Sequence, residues 1–172
     1  VARVILTGFM ATGKTEVGRR LARALDCPFV DTDDLVQAKA GRTIAEIFAA
    51  EGEPRFRALE RQAVEQACAV TDAVVATGGG TMLDPDNRRR LAAAGPIVCL
   101  AATPEDILAR VGDPASRPLL ARKNGHVDTL DRIRALLAER ASAYALATHT
   151  VPTSGLDVDT VVDRVRALVA GQ

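Results

Sequence analysis

Apolar residues along this 172-residue chain recur in two alternating patterns. Short, nearly unbroken apolar runs at Val4–Leu6, Pro28–Val30, Ala73–Thr77, Ile97–Leu100 and His149–Val151 predict strands, most of them buried on both faces. Between them the apolar positions recur every three or four residues, which predicts helices. The first runs from Lys14 to Ala24, with Val17, Leu21 and Ala24 on one face and Arg19, Arg20 and Arg23 opposite. A second follows Asp34 and closes at Gly41. A third starts at Thr43, where Thr43 and Glu46 have capping-box spacing, and ends at Gly52. Further helices are predicted over Pro54–Ala69, Asp84–Ala94, Pro104–Val111, Asp128–Ala147 and Asp157–Ala170. Strand and helix alternate throughout, so the expected fold is a parallel α/β sheet of about five strands. At this length the chain is expected to be one domain spanning residues 1–172.

Periodicity fails between Gly112 and Val127, a stretch rich in Gly, Pro and Arg. Its length suits a closing lid over a ligand, with Arg117 and Arg110 able to reach phosphates.

The chemistry concentrates where strands end. Gly8-Phe9-Met10-Ala11-Thr12-Gly13-Lys14-Thr15 matches the G-x-x-x-x-G-K-[ST] phosphate-binding pattern, and it follows a strand and opens a helix. In that setting the backbone through Ala11, Thr12 and Gly13, continuing into Lys14, Thr15 and Glu16, would form an anion nest at a helix amino end. Lys14 would reach the β- and γ-phosphates of a nucleotide, and the Thr15 hydroxyl would take a position on Mg2+. The second strand ends in Asp31-Thr32-Asp33-Asp34. Carboxyl ends of parallel strands line the ligand crevice, so Asp31 could hold a metal-bound water and Asp33 could accept from a substrate hydroxyl, while Asp34 serves as a helix cap. The third strand runs into Gly78-Gly79-Gly80, and three glycines there imply close approach of backbone to a ligand. Arg55, Arg57 and Glu60 sit on a helix, where charges ordinarily form a solvated face.

Composition narrows the partners. Lys+Arg and Asp+Glu both number 22, so no global field draws in nucleic acid or an anionic membrane. Aromatics are 3% with no Trp, which leaves no stacking platform for bases. No apolar run approaches the roughly 18 residues of a membrane helix. Three scattered cysteines read as reduced core residues, so the chain is expected to be cytoplasmic; two distant histidines make no zinc site, and as an isolated single domain the chain is expected to be monomeric.

Six ordered motifs together give the chain a close resemblance to the shikimate kinases. They are GFMATGKT, the D-T-D of Asp31–Asp33, Phe56-Arg57, the triple glycine, the R-P-L-L of Arg117–Leu120, and the R-x-x-x-Y of Arg140–Tyr144. The resemblance implies a P-loop kinase fold whose five-stranded sheet has the order 2-3-1-4-5, with a substrate-binding region over about residues 33–59 and a lid over about 112–127. It implies transfer of the γ-phosphoryl of ATP to the 3-hydroxyl of shikimate, a step of aromatic amino-acid synthesis. Carried over by position, Lys14 would hold the phosphates, Thr15 would bind Mg2+ with Asp31 behind it, and Asp33 would bind the ring hydroxyls and orient, or deprotonate, the attacking one. Arg57 and Arg140 clamp the carboxylate, Gly79 gives a backbone N–H, and Arg117 covers the transferring group. The chain departs from the family pattern at Glu16, at Ser142-Ala143, and at Pro152-Thr153-Ser154, where an arginine often lies near the adenine. Arg122 or Lys123 could share the work of Arg117. Two other readings remain at this stage: a kinase of the same fold acting on another hydroxy acid such as gluconate, and a nucleotide-operated switch or silent binding module, although the N-K-x-D base-reading motif of switch GTPases does not occur.

Overall fold

The computed structural model describes residues 3–112, 117–120 and 129–171. Its centre is β1 (Val4–Gly8), buried at every position, with parallel neighbours on both sides. Along β1 the side chains alternate between two cores. Val4 and Leu6 pack with Val17 and Leu21 of α1 (Lys14–Ala24) and with Val161, Val162 and Val165 of α7 (Val158–Val169). Ile5 faces the other way, toward Val64 and Ala67 of α3 (Ile44–Ala69) and Leu91 of α4 (Pro85–Ala94). A strand buried on both faces must be apolar throughout, which is why its sequence shows a run and no polar alternation.

The remaining strands are β2 (Phe29–Asp31), β3 (Val74–Ala76), β4 (Ile97–Ala101) and β5 (His149–Pro152). The parallel sheet has the order β2-β3-β1-β4-β5, as the resemblance implies. Asp31 pairs with Ala76 and Gly8 with Leu100, so the acidic end of β2, the glycines after β3 and the loop after β1 emerge at one edge.

Three details differ from the sequence reading. The helix after β2, α2 (Thr32–Ala40), is capped by Asp31, whose Oδ1 accepts from Asp33 N at 2.9 Å; Asp34 is not its cap. The two helices expected on either side of Gly52 form one element, α3, with a break at Gly52 and a capping box at Thr43 and Glu46. A 3-10 turn (Thr81–Leu83) follows the triple glycine. After α5 (Pro104–Val111) only Gly112 and 117–120 of the expected lid are described, and Arg122 and Lys123 lie outside the described residues. Leu120 is buried with Phe9, Ile107 and Ile133, and this anchors the short Arg117–Leu120 turn beside α6 (Thr129–Tyr144). No described helix is long and apolar enough to cross a membrane.

Candidate active site

The loop after β1 has the shape of an anion nest because of its glycines and Ala11. Gly8 has φ 136°, and a Cβ there would lie 2.3 Å from the Leu100 carbonyl oxygen, so only glycine fits between β1 and β4. Gly13 has φ 95° and leaves the amino end of α1 without a side-chain cap. The free N–H groups and helix dipole at that end favour a bound anion. Thr12 braces the loop, donating to Phe9 O at 2.8 Å. Lys14 Nζ donates to Gly8 O at 2.7 Å and Phe9 O at 2.9 Å.

The carboxylates of β2 and α2 stand opposite. Thr15 Oγ1 donates to Asp31 Oδ2 at 3.0 Å, which joins the two residues expected at a metal. Asp33 has a buried Oδ1 with no hydrogen-bond partner. Burial first, and then the adjacent Asp31 carboxylate, push its pKa up to about 6, with Lys14 opposing. Burial also pulls the Lys14 ammonium down to about 8, against the attraction of Asp33 and Asp31.

Two arginines complete the far wall. Arg140 is 2% exposed, and its Nε and Nη1 have no partner. Its guanidinium lies over the Phe9 ring, 5.3 Å from the centroid. Arg57 Nη1 donates to Glu60 Oε1 at 2.9 Å, and Nε and Nη2 donate to Glu53 Oε1 at 3.4 and 3.2 Å. Burial opposes the Arg57 charge, but Glu60 and Glu53 outweigh it and hold the guanidinium pKa above its ordinary value.

The triple glycine serves a purpose beyond the one its sequence suggests. Each glycine has a site side chain pressed against it. A Cβ on Gly78 would meet Glu60 Oε2 at 3.0 Å and Asp33 Oδ1 at 3.1 Å; on Gly79, Arg140 Nη1 at 3.0 Å; on Gly80, Arg57 Nη2 at 2.7 Å. The missing Cβ atoms therefore make room for the protein's own charged groups, in addition to any ligand.

Lys14, Thr15, Glu16, Ala11, Gly13, Asp31, Asp33, Arg57, Gly79, Arg117 and Arg140 all line one cleft of about 670 Å3. Thr12 lies buried beneath it. Arg110 does not reach across the cleft; it ties the loop to the chain after β5, through Thr153 Oγ1 at 3.3 Å and Ala11 O at 3.5 Å.

Glu60 is the residue that the sequence reading passed over. It is 1% exposed and also accepts from Thr81 Oγ1 at 2.8 Å, so it links Arg57 to the turn after the glycines. A signal was available, because Glu60 falls on the same helical face as the buried Phe56, Ala63, Val64 and Ala67. A charge inside an apolar stripe needs a partner.

A parallel sheet carrying a phosphate-binding loop, with acids and arginines facing it across one cleft, defines a small-molecule kinase of the P-loop class. The family model described as "Shikimate kinase" matches residues 10–170. A shikimate kinase of Thermoanaerobacter pseudethanolicus is 41% identical over 162 residues, which cover 94% of this chain and 92% of that protein. One of Desulforudis audaxviator is 49% identical over 150 residues, covering 87% of this chain and 77% of that protein. The solved structure of shikimate kinase from Acinetobacter baumannii in complex with shikimate is 32% identical and superposes with a TM-score of 0.91, covering 100% of this chain and 95% of that one. A gluconokinase from Sinorhizobium meliloti, 16% identical with a TM-score of 0.59, shares the fold alone. The chain belongs to the shikimate kinase family.

Proposed function

We propose that this chain transfers the γ-phosphoryl of ATP to the 3-hydroxyl of shikimate, giving shikimate 3-phosphate and ADP. One observation carries the assignment of the acceptor end: Arg140 is a buried cation with two unpartnered N–H positions, in the same cleft as Lys14 and Asp33. An isolated buried charge is costly, and a ligand carboxylate would supply the missing partner. Arg57 provides a second guanidinium for it, and the fork of arginine matches a planar carboxylate in a way that lysine cannot.

In this reading the nest from Ala11 to Glu16 holds the nucleotide phosphates. Lys14 exchanges its bonds to the Gly8 and Phe9 carbonyls for phosphate oxygens. Asp33 accepts from the attacking hydroxyl and orients it, and its raised pKa suits it to take up that proton as the bond to phosphorus forms. Gly79 offers its N–H to the acceptor. Arg117, which also lines the cleft, covers the transferring group and offsets its charge. Residues 33–59 form the acceptor region.

Mg2+ fits the residues present as a nucleotide-borne ion. Among the described residues no cluster of three acidic, histidine or cysteine side chains could hold a metal alone. Thr15 with Asp31 behind it offers one hydroxyl and one carboxylate, and Mg2+ ordinarily keeps several waters and binds through substrate phosphates. Bound there, it would neutralise charge on the β- and γ-phosphates. The proposed working unit is a monomer.

The test is ATP consumption with Mg2+ against shikimate, quinate, gluconate and no acceptor, with Lys14→Met as the blank. Turnover with shikimate, lost on chelation of Mg2+ and in the blank, is the expected result. Turnover on gluconate but not shikimate, or equal turnover without an acceptor, would refute the assignment.

A further inference from the structure

Tyr144 ends α6 one turn after Arg140, and the proposed chemistry gives it no part. Its hydroxyl donates to the Gly79 carbonyl oxygen. Its ring packs into the cluster of Phe9, Leu136 and Leu120. Burial pushes the phenol pKa up to about 12, so it remains a donor across the working range. The Arg140 charge beside the same phenol opposes that rise without cancelling it.

The position of that bond matters more than its strength. Successive glycines have soft backbone torsions, and Gly78–Gly80 have no side chains to hold them. The Gly79 carbonyl belongs to the peptide joining Gly79 to Gly80. Fixing its oxygen fixes that peptide plane and the ψ of Gly79. At one end of that peptide, Arg140 Nη1 would lie 3.0 Å from a Cβ at Gly79; at the other end, Arg57 Nη2 would lie 2.7 Å from a Cβ at Gly80. The two guanidiniums therefore rest on the two ends of one peptide unit. A Cβ at Gly79 would also approach Met10 N at 3.4 Å, so the same turn abuts the phosphate loop.

We infer that Tyr144 is a positioning residue for the acceptor half of the site: its hydroxyl, by pinning the Gly79–Gly80 peptide, sets the spacing between the Arg57 and Arg140 guanidiniums. This inference rests on the proposed carboxylate clamp. It assigns Tyr144 no contact with the nucleotide and no proton transfer. Loss of the hydroxyl should loosen acceptor binding and leave ATP binding and the chemical step almost intact.

Tyr144→Phe removes one oxygen and keeps the ring. The shikimate KM should rise about three- to tenfold, the span of one hydrogen bond, with the ATP KM and kcat within about twofold of wild type and the melting temperature little changed. Amide hydrogen exchange of the ligand-free protein should quicken at Gly79–Gly80 and not in the β1 core. Because Tyr144 is the sole tyrosine of the chain, growth on 3-fluorotyrosine alters this position alone. That protein keeps an O–H donor and should retain the wild-type shikimate KM. An unchanged shikimate KM in Tyr144→Phe overturns the inference. So does a parallel rise of both KM values with a fall in melting temperature, which marks a structural role. If wild type is active on shikimate and the variant shows no KM split, only the positioning role falls; if wild type does not phosphorylate shikimate, the clamp and the inference fall together.

Discussion

Asp33→Asn is expected to lower kcat about a thousandfold while raising the melting temperature of the ligand-free protein. The loss follows from removing the group that orients and deprotonates the attacking hydroxyl, a contribution of roughly 10²–10⁴ in rate. The gain follows from the same carboxyl's raised pKa. Asp33 titrates near 6 in the folded chain, against 3.8 for an ordinary aspartate. Between those values the folded state binds the extra proton, so stability is fully present below about pH 4 and lost as pH rises to about 6. At neutral pH the buried carboxylate is a standing cost of up to about 3 kcal/mol, at 1.36 kcal/mol per unit. Asparagine removes that cost, but it also takes a counter-charge from Lys14, whose own pKa is lowered by burial. A net gain of about 1 to 2 kcal/mol remains, or roughly 3 to 6 °C for a chain of this size. Calorimetry of both proteins at pH 4.5 and 7.5 provides the check: the variant's advantage should be smaller at the lower pH. A variant that melts below wild type at pH 7.5 would show that Asp33 is held by favourable contacts and not under strain of charge.

Arg140→Met is expected to raise the shikimate KM about a hundredfold and leave the ATP KM unchanged. Truncating one member of a buried charged pair costs about 2–5 kcal/mol, and here the pair forms only when the ligand carboxylate arrives. Without ligand the substitution should be neutral or stabilising, because it replaces a guanidinium with two unpartnered N–H positions by an apolar chain over the Phe9 ring. Steady-state kinetics in both substrates, with thermal melting, separate these effects. A fall in stability with equal loss for both substrates would make Arg140 a structural residue.

Much of this site is legible in the sequence, and the reasons differ from residue to residue. Gly8 through Thr15 can be read directly, because the spacing that defines the motif is also the geometry that binds an anion. Arg140 entered through the resemblance, as the first residue of R-x-x-x-Y, and the structure buries it on the helical face of Ile133 and Leu136. The strand order came from the resemblance, since periodicity finds strands without saying which ones pair.

Other parts depend on contacts between distant segments. Arg57 and Glu60 resemble an ordinary i, i+3 surface pair until Thr81, 21 residues after Glu60, is seen to close over the carboxylate. The glycines of 78–80 suggested room for a ligand, whereas they also accommodate Asp33, Arg140 and Arg57, which come from three different elements. Asp31 shows why one residue can escape a single label: one oxygen caps α2 through Asp33 N, and the other takes the Thr15 hydroxyl.

The central claim is that two arginines, Arg140 buried and Arg57 half-buried, select the acceptor by its carboxylate. Its most direct test compares kcat/KM for shikimate with that for its methyl ester, which keeps the ring and hydroxyls and removes the charge. The account predicts a fall of at least about a hundredfold for the ester, since two charge-assisted contacts are weakened together. Equal turnover of acid and ester would contradict it.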